Sequence, residues 1–472
     1  MMETELAALS ITQVSALIAS GEVSSAAVTE SALEAITAHD DRLKAFIDVY
    51  RESALVESRT ADAEIASGNY RGPLHGVPTA VKDNIYIGGR RTTMGSKIHS
   101  SFVPARDAGV TTRLSAAGAV IIGKTNMHEY ALGGTTDNPH WGTCRNPWDT
   151  TKTPGGSSGG SAVALATGMA AAALGSDTSG SIRIPAAICG VVGLKPTYGR
   201  VSRYGVFPEA WTLDHVGPMT RTVRDAALVL DAISGHDPRD PVSLGLPRTT
   251  TADALRDTCE GMVIGVEEDF YFTDIDDAVA QLVRAGIEAL RRLGATVRTV
   301  SIPGLAHTEF ALTVIDTAET STVHHANLRD RPQDYGSDVR LLLECGELPS
   351  AVDYLQAQQV RRSLRGEVHR AFADVDVLIG PTLGSRTPTI GEDTALVNGA
   401  PVNAIDSMIR LVGPASLLGL PCLSMPCGTV DGLPVGMQIV GPALGEQAVL
   451  DLAHAFEQTE PLGGLRPSDY LA

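Results

Sequence analysis

Apolar residues recur at helical spacing through the first 68 positions, which predicts helices there. Ser10 and Ser24 stand where N-caps of apolar-periodic stretches belong, and 51–67 continues the period. From Gly76 the texture changes. Short β-rich runs at 77–81, 119–122 and 191–194 alternate with Gly-rich turns and helical stretches such as 111–117, a pattern that predicts α/β layers. A polar, Pro-rich stretch at 235–251 (GHDPRDPVSLGLPRTTT) reads as a linker or a long surface excursion. Beyond it the pattern predicts a strand at 262–266, an amphipathic helix at 278–293, a strand at 296–300 and helices at 311–328 and 351–372. Strand-like runs at 375–379, 422–425 and 435–439 follow. No repeat with a solenoid or propeller period is visible. The simplest architecture is a single large α/β domain, 1–472, with a central mixed, twisted β-sheet covered by helices on both faces. Residues 1–70 would be a helical lead-in, 73–225 the catalytic core segment, and 240–375 an insert shaping the substrate pocket.

Composition narrows the class. The chain has 472 residues, 43% hydrophobic and 19% charged with 48 glycines, which suits a soluble globule with many tight turns. Its 37 basic and 55 acidic residues leave a formal charge of −18, unfavourable for direct contact with a nucleic acid. The basic pairs Arg90-Arg91 and Arg361-Arg362 are too short to alter that expectation. Cys144, Cys189, Cys259, Cys345, Cys422 and Cys427 form no CxxC pair and read as buried reduced thiols. The opening MMETELAALS lacks the basic-then-apolar order of a signal peptide, and no apolar run is long enough to span a bilayer. The expectation is a cytoplasmic protein away from the membrane.

The densest chemistry lies between Thr153 and Pro196, where two Gly/Ser loops flank an Ala-rich stretch read as one helix. Such loops crowd backbone N–H groups around one point, which suits a phosphate or a developing oxyanion. A phosphate loop lacks its Gly-Lys-Ser/Thr, and no GxGxxG follows a strand here. Gly156-Ser157-Ser158-Gly159-Gly160 formally satisfies the GxSxG elbow with Ser158 at its centre. The preceding residues 143–154 are polar with two prolines, unlike the strand such an elbow needs. His307, His324, His325, His369 and His454 leave that reading formally open. Lys82, in LHGVPTAVKDN, ends an apolar β-rich run that would carry its amine into the interior, where desolvation lowers a lysine pKa toward that of a base. Taken alone, a strand-end lysine pairing with Asp83 would account for it.

LHGVPTAVKDN, GAVIIGKTNMHEYALGGTT, RNPWDTTKTPGGSSGGSAVALATG, GSDTSGSIRIPAAICGVVGLKPTYGRVSRYG and DHVGPMTRTVRDAA occur in order. With VLIGPT and GLPVGMQIVGP further on, the chain closely resembles the amidase signature family. The resemblance implies the family's fold and a seryl hydrolase of carboxamides, with Ser181 as nucleophile, Ser157 as the bridging acid/base after a cis peptide bond, and Lys82 as base. It implies an oxyanion hole from the backbone of Thr178, Ser179 and Gly180 with Ser181. Asp177 and Arg183 would brace the loop, and Ser158 would be a loop hydrogen-bonder like Ser176. Ser179 replaces the family's commoner glycine and would alter pocket shape.

No metal or organic cofactor is implied. Leu132 would line the substrate site, with His324, His325 and Trp211 as weaker candidates. The match is nearly as close to the glutaminase component of the tRNA-dependent glutamine amidotransferase. There an arginine, near Arg361 here, holds the substrate carboxylate, and an aspartate holds its ammonium. Ile409 occupies that aspartate position, and Ile184 replaces a usual glutamine. The expectation is therefore a stand-alone amidase of small, less polar amides, with esters, carbamates or carboxybiuret-like ureides as further candidates. It would contact no nucleic acid directly, and a homodimer is compatible with it; the glutaminase component of an amidotransferase complex is the alternative.

Overall fold

Helix starts follow their capping residues. In the computed structural model, which describes residues 6, 9–459, 465–467 and 470, Ser10 closes a capping box with Gln13 at the head of Ile11–Ser20. Ser24 accepts from the Ala27 N–H at the head of Ser25–Leu43. Most of MMETELAALS lies outside the described residues. The lead-in is not wholly helical: β1 (Phe46–Val49) stands between Ser25–Leu43 and the helix Arg51–Ala66. Four residues are too few to set a period of two against a helical surround.

Twelve further strands follow among the described residues: β2 (Pro78–Lys82), β3 (Val120–Thr125), β4 (Ala172–Asp177), β5 (Val192–Lys195), β6 (His215–Thr220) and β7 (Val263–Glu267). Then come β8 (Thr296–Val300), β9 (Val377–Pro381), β10 (Thr394–Val397), β11 (Ala400–Asn403), β12 (Cys422–Val430) and β13 (Leu433–Val440). All but the β10–β11 hairpin join one mixed sheet in the order β1-β3-β2-β4-β6-β5-β12-β13-β9-β7-β8. Two parallel wings, β3-β2-β4 and β9-β7-β8, flank an antiparallel centre. The sheet therefore continues across the Pro-rich 235–251 stretch, which lies between β6 and β7.

Helices cover both faces. Along β4, Leu174 packs with Val81, Leu194 and Val216 in one core, while Ala173 packs with Leu165, Ile182 and Met219 in the other. A strand buried on both faces reads as a continuous apolar run. That is why 162–174 reads like one Ala-rich helix. The chain instead makes a short helix, Gly159–Ala166, turns at Gly168 in the left-handed region (φ 72°), and enters β4. Five cysteines are buried and Cys345 is exposed, all free. Among the described residues no helix is long and apolar enough to cross a membrane.

The Gly159–Ala166 helix sets the height of the Ser157 loop above the sheet. The Gly160 N–H donates to the Asn126 carbonyl at 3.1 Å, and a Cβ on Gly160 would press on the backbone of Asn126 and Ala45. Neither backbone can yield as a side chain would. Gly160→Ala is expected to destabilise the fold by about 1–3 kcal/mol, read from urea denaturation.

Candidate active site

The parallel pairing of β2 with β4, Val81 opposite Leu174, sends both strand ends to the same edge of the sheet. Lys82 ends one and Asp177 the other. Ligand sites in α/β sheets favour such edges. The Lys82 side chain is wholly buried, and its Nζ donates to Ser157 Oγ at 2.7 Å and Ser176 Oγ at 2.8 Å. Asn84 Nδ2 donates to the same Ser176 hydroxyl at 3.0 Å. Burial draws the lysine pKa down to about 7, against the opposing pull of Glu209, Asp177 and Asp214. A substantial share of this amine is therefore neutral near pH 7.

The two Gly/Ser loops lie against one another. Ser158 N–H donates to the Ser181 carbonyl at 3.2 Å, and Ser158 Oγ to the Ser176 carbonyl at 3.1 Å. Thr136 Oγ1 ties the first loop down, donating to Gly155 O at 2.8 Å and accepting from Gly159 N–H at 3.1 Å. The Gly156–Ser157 peptide is cis. Ser157 is fully buried, whereas Ser181 is slightly exposed, at 7%.

The second loop is shaped by a buried ion pair. Asp177 accepts from the N–H groups of Gly180 (2.9 Å) and Ile182 (3.2 Å), and from Nε and Nη2 of Arg183 at 3.0 Å each. Burial alone would raise the Asp177 pKa, but the guanidinium and its hydrogen bonds hold it well below the usual carboxylate range. Arg183 reaches on to the Val412 carbonyl (2.8 Å) and Ser416 Oγ (2.7 Å). Gly180 lies in the left-handed region (φ 118°), where a Cβ would run into Val412. Of the N–H groups expected at an oxyanion hole, that of Gly180 is thus engaged by Asp177. The neighbouring hydroxyls are also engaged: Thr178 Oγ1 donates to Asp214 at 2.7 Å and Ser179 Oγ to Asp316 at 2.6 Å.

Residues expected around the substrate are spread more widely. Leu132 packs with Tyr130, Leu328 and Tyr335, and buried His324 meets the Tyr130 ring edge-on with centroids 4.2 Å apart. Burial pulls the His324 pKa down to about 3. His325 is exposed and contacts Glu347; Trp211 is partly exposed at the rim of a cavity beside Ser176. Ile409 is half-buried and lines a separate cavity with Leu312 and Asp406. Arg361 donates through Nη1 and Nη2 to Oγ1 (3.1 Å) and O (2.9 Å) of Thr212, while Thr212 itself donates to Glu319. Arg361 thus grips the loop that carries Glu209 and Asp214. Sequence reasoning gave Ser176 no tie to Lys82 and did not single out Asn84 or Glu209. Asn84 stands two residues beyond Lys82 in a quoted motif, a signal that was available; Glu209 carried none.

The Amidase family model matches residues 27–450. The chain is 41% identical to the A subunit of the glutamyl-tRNA(Gln) amidotransferase of Moorella thermoacetica, over 98% of this chain and 99% of that protein. A solved structure, "An unexpected vestigial protein complex reveals the evolutionary origins of an s-triazine catabolic enzyme", is 37% identical with a TM-score of 0.92 over 96% of this chain and 99% of its own. A peptide amidase in complex with the competitive inhibitor chymostatin is 33% identical with a TM-score of 0.84, over 96% and 97%. The amidotransferase relatives overturn the expectation of a stand-alone enzyme that contacts no nucleic acid directly. Net charge describes a chain's own surface and is silent on what other members of an assembly bind.

Asp177→Asn leaves the Arg183 charge buried without its counter-ion and is expected to cost about 3–5 kcal/mol in denaturant unfolding. Lys82 is neutral in the folded chain at pH values where the unfolded chain still holds its proton. The unfolded state thus binds more protons between about pH 7 and about pH 10, and native stability rises with pH there. Relative to Lys82→Met, the native protein should gain stability from the lower to the upper end of that window; a flat difference would contradict the buried amine.

Proposed function

The chain belongs to the amidase family and is a hydrolase of amide C–N bonds; on that premise we propose that Ser181 is its nucleophile, Ser157 its bridging acid/base and Lys82 its base. The observation that carries this reading is the buried contact of Lys82 Nζ with Ser157 Oγ at 2.7 Å, in a loop hydrogen-bonded to Ser181. Neutral Lys82 takes the Ser157 proton as Ser157 takes that of Ser181, and Ser181 Oγ attacks the amide carbonyl. Negative charge on the tetrahedral oxygen is received by the N–H groups of Thr178, Ser179 and Ser181, with Gly180 held to Asp177. The protonated relay gives the leaving nitrogen its proton through Ser157, the C–N bond breaks, and a seryl ester remains. Water, deprotonated by the same relay, adds to that ester and releases the acid. The chain's own residues supply every proton transfer.

For the substrate, the 41% identity over nearly the full length to a component of an amidotransferase supports a glutaminase working as one member of an assembly. It would hydrolyse the side-chain amide of glutamine and release ammonia. A second reading, a hydrolase of another small amide, is favoured by Ile409, an apolar side chain where a carboxylate would meet the ammonium of glutamine. Ammonia release from glutamine, assayed with the chain alone and with its partner subunits, tests the first reading. Stimulation by the partners supports it, and turnover of neutral aliphatic or aryl amides with none of glutamine supports the second.

Ser181→Ala should lower turnover at least about 10³-fold while the circular-dichroism spectrum is retained. Full activity in that variant would end the assignment. Because protonated Lys82 cannot accept a proton, kcat/KM should rise with pH, about tenfold per unit below pH 7, and level off above about pH 7.

A further inference from the structure

A cavity of about 190 Å³ opens beside the lysine, walled by Asn84, Ser176, Thr178, Phe207, Glu209 and Trp211. Two of its walls carry acceptors with no partner within the protein: Asn84 Oδ1 and Glu209 Oε2. Both residues are more than nine-tenths buried, at 2% and 5% exposed. An unmet buried acceptor is costly, and more so if it is charged. The neighbouring carboxylates are provided for: Asp214 accepts from Thr178 and from the N–H groups of Glu209 and Ala210, and Asp316 accepts from Ser179 and Thr320. Their charges nonetheless act on Glu209, whose pKa burial and both aspartates push well up.

Each cation nearby already has partners of its own. Lys82 serves two hydroxyls. Arg203, on the cavity wall, donates through Nη1 to the Trp211 carbonyl and lies over the Tyr198 ring while its Nε has no partner, and Arg239 is paired with Asp237. Among the described residues no cluster of carboxylates, thiols and imidazoles is arranged to hold a metal ion. What the cavity offers is the unpartnered carboxyl oxygen of Glu209, an unpartnered amide oxygen and the aromatic side chains of Tyr204, Phe207 and Trp211, a combination that suits an organic ammonium, which brings its own N–H donors and favours the ionised form of Glu209.

We propose that this cavity receives a substrate ammonium group, held by Glu209 and Asn84. The assignment rests on the amide-hydrolase reading only in making that ammonium part of the substrate. It gives the chain a carboxylate partner for an amino-bearing amide on the Thr178 side of the site, where position 409 has none. The cavity touches Ser176, which accepts from Lys82, so an ammonium seated there lies one side chain from the proposed base. Its positive charge also offsets the three carboxylates crowded behind the loop in which an oxyanion would form.

Calorimetric titration of the intact chain with methylammonium chloride tests this, with methanol as the neutral probe of similar size. The native protein is expected to bind methylammonium and not methanol. Glu209→Gln should weaken binding by about tenfold or more, with Glu209→Asp retaining part of it. Equal behaviour of the two probes, or unchanged affinity in Glu209→Gln, overturns the proposal. Should Glu209→Gln fail to fold, the native comparison of the two probes decides alone. Fluorophosphonate labelling of Ser181, run in parallel, separates the two readings. Labelling without methylammonium binding defeats the cavity assignment alone, and binding without labelling defeats the serine chemistry alone.

Discussion

The open edge of the sheet depends on the buried pair of Asp177 and Arg183. Asp177 ends a central strand, and its two oxygens collect the N–H groups of Gly180 and Ile182, which fixes the curve of the intervening loop. Arg183 begins the next helix and extends the same contact to Val412 and Ser416, more than two hundred residues on. A single charge pair thereby sets the distance between a strand, a loop and a remote helix. With both members satisfied its desolvation is compensated; with either removed, a full charge would stand in the interior.

Burial alone does not mark a base. Lys82, Lys124 and Lys195 are all fully buried, with pKa values drawn down to about 7, 8 and 7 mainly by desolvation. They differ in company. Lys124 meets the Ile85 carbonyl and, at 3.4 Å, a single hydroxyl, that of Thr92, and lies 3.7 Å from Asp83. Lys195 meets the carbonyls of Pro196 and Leu420, with His215 at 3.3 Å. Lys82 meets two hydroxyls, groups that can give as well as accept a proton. The bland reading of Lys82 as a partner of Asp83 fails because Asp83 faces Lys124 and Thr93 instead.

Much of this was legible in the chain. Capping serines and short apolar runs located most strands and helices to within a few residues, because strand burial and N-cap chemistry act locally. Two misreadings have local causes: Phe46–Val49 is too short to show a period, and β4 is apolar on both faces, so it reads like the helix before it. The joining of Lys82 with Ser157 was legible only through the family resemblance. Its link to Ser176 and the placement of Glu209 were not, since those contacts cross between strand ends and loops far apart in sequence. No local pattern encodes them. Charge misled in another way, because −18 describes one surface and not an assembly.

The loop holding Glu209 and Asp214 is anchored on two outer helices. Thr212, between those two acids, is fastened to Glu319 on the helix Thr308–Asp330 and to Arg361 on the helix Ala351–Ala371. Neither helix contributes to the Asp177–Arg183 pair. The helix Thr308–Asp330 nonetheless also meets the serine loop, where Ser179 donates to Asp316, and Thr178 ties that loop to Asp214, so a shift of the outer helices is felt by both loops at once.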